Sequence, residues 1–145
     1  MHFHIYCNKK TVSTAHLEAI REFQKRLSSY CETSLSVDIL PSIPDHVNIE
    51  NCHIFILTIG ISSFSSEEFA KIIMELQLSG KSHVCIYVGY NEKLLYECLS
   101  VFLSKTVVRT FSLTGCSLAS ETLTVLLFEQ LYRSYTILQG KTYHK

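Results

Sequence analysis

At 145 residues, 47% of them hydrophobic and 18% charged, the chain has the composition of one ordinary globular domain, able to bury roughly two-thirds of its unfolded surface. Thirteen Lys and Arg residues balance thirteen Asp and Glu residues, which argues against attachment to nucleic acid by bulk charge, though a local basic face stays open. No apolar run approaches the ~20 residues that span a bilayer, and the first residues carry no basic region followed by a long apolar run, so neither a membrane span nor a signal peptide is expected.

Residues 2–7, short, apolar and aromatic, predict a strand that ends at the polar cluster Asn8-Lys9-Lys10. Leu17, Ile20, Phe23, Leu27 and Tyr30 then recur at helical spacing, opposite Glu18, Glu22, Lys25 and Arg26, with Thr14 as N-cap. Residues 35–40 predict a second strand, closed by Pro41 and Pro44, and residues 42–51 a polar connection without helical periodicity. Residues 52–59 are almost continuously apolar, the pattern of a strand buried on both faces of a parallel sheet. Ser65 with Glu68 three residues later forms a capping-box pattern ahead of Phe69, Ile72, Ile73 and Leu76, and Gly80 ends that helix. A strand over 83–88, a turn at Gly89-Tyr90-Asn91, a short helix over 94–103, a strand over 106–113, a loop over 114–117 and a last helix over 118–138 complete the chain. This alternation predicts a single α/β domain, residues 1–145, with a mainly parallel sheet flanked by helices on both faces.

In such sheets ligands sit at the carboxyl ends of strands, here the turns after Leu57, Val88 and Leu113. None of these turns carries a dinucleotide-binding or phosphate-gripping glycine motif or a carboxylate cluster. The run from Cys7 to Ser13 lacks the arginine and glycine of a thiol phosphate loop. Cys7, Cys31, Cys52, Cys85, Cys98 and Cys116 contain no C-x-x-C pair, so reduced, largely buried thiols of a cytoplasmic protein are expected. His2 and His4 would share a strand face, the beginning of a metal site without nearby third and fourth ligands, and no metal is expected.

The last residues are more specific. Glu129-Gln130-Leu131-Tyr132-Arg133-Ser134-Tyr135, followed after Gly140 by Tyr143-His144-Lys145, closely resembles the C-terminus of the RlmH family. These are SPOUT-class methyltransferases that modify a pseudouridine of large-subunit ribosomal RNA. Glu22-Phe23-Gln24-Lys25-Arg26-Leu27 with Tyr30, and Ile56 to Ile59 with the following helix start, are similar to the family's first helix and central strand. The connection between Leu40 and Cys52 is shorter than usual for that family, and a helix commonly found there is missing from the pattern.

The resemblance implies an α/β knot, with the final helix tucked through the preceding loop as a C-terminal trefoil knot. It also implies a cytoplasmic homodimer acting on ribosomal RNA in the ribosome, without a membrane. An S-adenosylmethionine pocket would fall on Leu57, Gly89 and the loop Leu113, Thr114, Gly115, Cys116, Ser117 and Leu118. His144 would act on the N3 proton of the target base, Tyr143 would stack on or hydrogen-bond that base, and Arg133 would recognise phosphate or carboxylate. Leu123, Leu126, Leu127 and Leu131 of the last helix would supply dimer surface.

Several positions depart from the family. Val88-Gly89-Tyr90 keeps one of two usual glycines, so that Tyr90 either swings outward or fills space meant for cofactor. Ser117-Leu118-Ala119-Ser120 stands where Thr-x-Pro-His is usual, Thr124 replaces an arginine that would contact RNA or a second subunit, and Asn8 replaces a glycine. These departures motivate an alternative, a non-catalytic dimeric ribosome- or RNA-binding remnant of the same fold. An unrelated flavodoxin-like module is disfavoured by the tail.

Overall fold

The computed structural model describes residues 1–60 and 64–143. Its elements are β1 (His2–Cys7), α1 (Thr14–Leu27), β2 (Glu32–Val37), a short 3-10 turn (Ile49–Asn51), β3 (Cys52–Thr58), α2 (Ser66–Leu78), β4 (His83–Val88), α3 (Glu92–Ser104), β5 (Val108–Ser112) and α4 (Ser120–Leu138). The five strands form one sheet in the order β2-β1-β4-β3-β5, parallel throughout.

Parallel strands need covered faces, and successive side chains supply both. Phe3, Ile5, Phe55, Leu57, Val84, Ile86, Val88 and Phe111 point to one face, where Ile20 and Leu27 of α1, Phe69 and Ile73 of α2, and Leu123, Leu127, Phe128 and Leu131 of α4 close the larger core. Tyr6, Cys52, Ile54, Ile56, Cys85 and Tyr87 point to the other, under Leu95, Leu99, Phe102 and Leu103 of α3. Val47 and Ile49 patch that second core from the connection after β2, which holds only the 3-10 turn where a helix is missing. All four segments Leu123, Leu127, Phe128 and Leu131 are at most 4% exposed, so α4 is an interior element although it comes last in the chain. No helix among the described residues is long and apolar enough to cross a membrane.

Several boundaries differ from the sequence expectation: β3 ends one residue early, α3 runs over Glu92–Ser104 and β5 only over Val108–Ser112. The N-cap of α1 is Ser13, whose hydroxyl accepts from the His16 N–H, rather than Thr14. Strand β2 begins three residues earlier than expected, because Glu32, Thr33 and Ser34 pair with β1 at the sheet edge despite their polarity. Helix α4 starts at Ser120, leaving Leu118 in the loop and 38% exposed. The capping box of α2 is present as read: Glu68 N–H donates to Ser65 Oγ at 3.1 Å, and Ser65 N–H donates to Glu68 Oε2 at 2.7 Å. Ser65→Ala therefore lowers stability by about 1 kcal/mol, measurable as a fall in the urea midpoint at unchanged slope. An unshifted midpoint would show that water satisfies this helix end equally well.

Candidate functional site

Strand register brings three turns to one end of the sheet. Leu57 lies opposite Val88 of β4 and Phe111 of β5, and Thr58 lies opposite Ser112. The chain segments after Leu57, Val88 and Ser112 thus leave the carboxyl edge side by side, in the crevice position typical of parallel sheets. Hydrogen bonds tie the segments after β3 and β5 together. Thr58 Oγ1 donates to the Phe111 carbonyl at 3.2 Å, the Gly60 N–H donates to Ser112 Oγ at 3.0 Å, and Phe64 N–H donates to the Ser112 carbonyl at 3.1 Å. Ser112 Oγ in turn donates to the Thr114 carbonyl at 2.8 Å, and Thr114 Oγ1 accepts from Cys116 N–H at 3.0 Å. Leu113 and Thr114 are half-buried, while Gly115, Cys116, Ser117 and Leu118 are exposed. The result is a loop braced at its root and open along its crest, with the apolar side chains of Ile59 and Leu118 uncovered beside it.

Gly89 sits in the left-handed region at φ +79°, which L side chains rarely adopt. Its neighbours are protein. A Cβ there would overlap Ser120 Oγ and lie 2.8 Å from Ser120 Cβ, and Asn8 Nδ2 donates to the Gly89 carbonyl at 2.8 Å. The glycine is therefore needed first for the approach of α4 to the end of β4. Tyr90 does not swing outward: it is buried in the second core, edge-on to Tyr87, and its hydroxyl donates to the Asp38 carbonyl at 2.6 Å. Thr124 is fully buried and donates to the Ser120 carbonyl at 2.7 Å, so this position faces the core here rather than a macromolecular partner.

The tail is shaped by the end of α4. Gly140, at φ +62°, lets Lys141 N–H reach the Thr136 carbonyl at 2.9 Å and Gly140 N–H reach that of Ile137 at 3.0 Å, a Schellman-type reversal. Lys141 Nζ donates to Tyr30 Oη at 3.1 Å, and the chain runs back along the helix. Tyr143 lands half-buried on α4, its ring edge-on to Tyr132 at 5.2 Å and beneath the Arg133 guanidinium at 4.7 Å. Arg133 Nη2 and Nε donate to Glu129 Oε1 at 2.7 and 3.0 Å, so its fork is already engaged within the helix. Burial and the nearby Glu129 carboxylate push the Tyr143 phenol above its usual range, keeping it a neutral hydrogen-bond donor. A groove of about 260 Å³ lies alongside, lined by Ser66, Glu67, Arg133, Ile137, Lys141 and Tyr143 among others. His144 lies outside the described residues.

Two groups of candidate residues thus emerge. Leu57, Gly89 and residues 113–118 share the carboxyl edge, whereas Arg133 and Tyr143 share the later part of α4. Thirteen residues of helix separate Ser120, beside Gly89, from Arg133, roughly 20 Å at the α-helical rise. Ser112, Asn8 and Ser120 belong to the scaffold of the first group; the sequence marks Asn8 and Ser120 only as departures from the family pattern, and the folded structure reveals their contacts.

A family model described as Predicted SPOUT methyltransferase matches residues 1–144. A Ribosomal RNA large subunit methyltransferase H 1 of Thermoanaerobacter sp. (strain X514) is 35% identical over 146 residues, covering 100% of both chains. Proteins called Ribosomal RNA large subunit methyltransferase H from Clostridium novyi (strain NT) and Clostridioides difficile (strain 630) are 31% and 30% identical, covering 88% and 87% of this chain and 89% and 88% of their own.

Proposed function

The chain belongs to the SPOUT methyltransferase family, and from that premise we propose that it transfers a methyl group from S-adenosylmethionine to N3 of a pseudouridine in large-subunit ribosomal RNA, in the cytoplasm and on the ribosome. The observation that carries this reading is the braced, open loop 113–118 beside the ends of β3 and β4. Its fit to the cofactor is chemical. Exposed backbone along Gly115–Leu118 offers amide and carbonyl groups to an adenine edge, and uncovered Ile59 and Leu118 offer apolar contact to its faces. When bound, S-adenosylmethionine supplies an electrophilic methyl group and leaves as the neutral thioether.

What remains for the protein is alignment and a proton. N3 of the base must lose its proton as it becomes a nucleophile, and His144 is the residue proposed to accept it. Tyr143, a neutral phenol fixed against Arg133, would hold the base by stacking or by its hydroxyl. Arg133, pinned by Glu129, would present positive charge to the RNA backbone without needing to be ordered on binding.

One chain keeps these groups apart, which supports a homodimer in which the tail of one copy completes the pocket of the other. Between α1 and α4 runs an apolar groove of about 420 Å³, lined by Ala15, Ala19, Phe23, Val125 and Leu126 among others. Of the four leucines expected at the interface, Leu123, Leu127 and Leu131 are buried in the chain's own core, and Leu126 reaches the groove. A knotted path is proposed with it. From β5 at the sheet edge the chain passes beyond β3 and β4, since Ser120 abuts Gly89 and Ser13 N–H donates to Glu121 Oε2 at 3.3 Å.

Calorimetric titration with S-adenosylmethionine and a methylation assay on ribosomes lacking the modification test the function. Binding to ribosomes without either cofactor binding or transfer would identify the non-catalytic remnant instead. Ala19→Glu, at a half-exposed groove position, is expected to convert the dimer to a folded monomer in light scattering, because it places an unpaired charge in a desolvated interface. A wild-type protein that is already monomeric at micromolar concentration would overturn the dimer.

A further inference from the structure

At the amino ends of the strands, opposite the methyl-transfer turns, the fold assembles three imidazoles that the sequence keeps far apart. His2 and His4 lie on one face of β1, and parallel pairing sets His2 directly beside His83 of β4. One ring nitrogen from each of His2, His4 and His83 lies within 4.8 Å of the other two. His4 Nε2 and His83 Nδ1 are 3.0 Å apart, and the His2 and His4 rings stack at 3.9 Å between centroids. The third ligand missing from the local sequence is supplied by sheet register.

The proton positions follow from the far end of the network. Glu32 Oε2 lies 3.4 Å from His2 Nδ1, and a carboxylate only accepts, so this nitrogen carries the His2 proton. His2 Nε2 then accepts from Ser34 Oγ at 3.1 Å, and Ser34 Oγ accepts from His4 Nδ1–H at 3.1 Å. His4 Nε2 is left with its lone pair facing His83. Such an outer partner on Nδ1 is how metal-ligating histidines are usually oriented. His2 and His83 are half-exposed, and a cavity of about 390 Å³ lined by His2, His4, Tyr6, Ser34 and Asp45 among others opens onto the group, giving an entry path.

We propose that His2, His4 and His83 form a transition-metal site that takes Zn²⁺ through three imidazole nitrogens, with water in the fourth position. Three nitrogen donors and no carboxylate in the ligand set suit zinc and disfavour Mg²⁺ and Ca²⁺. The rings are nearly parallel, at 21° and 22° for the His2–His4 and His4–His83 pairs. Binding turns them about χ2 until their lone pairs converge; His2 Nε2 gives up the Ser34 hydroxyl, which turns its proton to solvent, and His83 moves its proton from Nδ1 to Nε2 through solvent. No proton is lost overall. The bound ion clips β1 to β4 and acts on stability, apart from the chemistry at the other pole of the sheet.

The test uses full-length protein without a polyhistidine tag, titrated with Zn²⁺ against a chromophoric chelator. One Zn²⁺ per chain is expected, with a melting temperature that rises with zinc by mass action and does not respond to Mg²⁺. His2→Ala and His83→Ala, both at half-exposed positions, are each expected to weaken zinc binding by more than the ~10–100-fold typical of losing an outer-shell partner, with the metal-free melting curve confirming the fold. Cys52 and Cys85, whose sulfurs lie 3.3 Å apart, are the competing ligands. Co²⁺-loaded protein should therefore show tetrahedral d–d absorption without a thiolate charge-transfer band. Absent binding, a thiolate band, or histidine variants that bind as tightly as the parent would each overturn the site.

Discussion

Deleting Thr142–Lys145 is expected to reduce methyl transfer to ribosomal RNA by orders of magnitude while the protein stays folded and keeps most of its affinity for S-adenosylmethionine. The structure sets the size of the stability change. The deletion removes the Tyr143–Arg133 contact at 4.7 Å and the Tyr143–Tyr132 contact at 5.2 Å, together about 1–2 kcal/mol at partly exposed positions. The melting temperature should then fall by only a few degrees. The reversal at Gly140 and the Lys141–Tyr30 bond remain, so α4 keeps its end. His144→Ala should reproduce part of the loss of transfer without the thermal shift. Tyr143→Phe separates two roles for the phenol: retained transfer assigns it to stacking, and lost transfer to its hydroxyl. A truncated protein that methylates normally would remove the tail from the mechanism, and one that unfolds would make the tail a structural strap.

Gly89→Ala should damage both the fold and the proposed cofactor site. A left-handed backbone at φ +79° costs a non-glycine residue about 1–3 kcal/mol, and the overlap with Ser120 adds a packing penalty of similar size. Because Ser120 is the first residue of α4, the helix must shift away from β4, and the loop over 113–118 that precedes it moves as well. S-adenosylmethionine binding is expected to be lost beyond detection by calorimetry. Ser120→Gly removes the atoms that a Cβ at Gly89 would strike, so the double variant should regain the packing share and not the backbone share. Purely additive effects in that cycle would show that the two residues do not meet. Gly89→Val would raise both costs together and could not separate them.

Much of this architecture can be read directly from hydrophobic patterning, and the exceptions have identifiable causes. Strands β1, β3 and β4 are central and buried, so their apolar runs mark their limits to within a residue. β2 is an edge strand: Glu32, Thr33 and Ser34 make ladder contacts although none of them is fully buried. Patterning therefore favoured the apolar residues up to Leu40, although Ile39 and Leu40 turn out exposed. At the candidate site the turns after Leu57, Val88 and Leu113 were legible because sheet topology alone nominates strand ends. The scaffold roles of Ser112, Asn8 and Ser120 were not, since a serine or asparagine becomes significant only when the fold puts a particular group opposite it. The third histidine of the amino-end cluster was hidden for the same reason, 79 residues from His4 in sequence. Tyr143 fell between these cases. Its position in the tail was conspicuous, but its return onto Arg133 depends on a positive φ at Gly140, and that conformation is a property of the folded helix end.

The interior position of α4 carries a consequence for synthesis. Leu123, Leu127, Phe128, Leu131 and Tyr135 fill the larger core against α1 and α2, yet these residues are translated after every strand. A nascent chain that has made β1 to β5 holds an apolar sheet face with its central covering helix still to come. All sheet pairings are also parallel and distant in sequence, an arrangement that folds slowly because loop closure precedes any reward. The polypeptide must therefore keep Phe3, Ile5, Val88 and Phe111 incompletely covered until α4 has been made. For this protein the window of vulnerability to aggregation, and of dependence on chaperones, opens during elongation and closes only when the final helix docks.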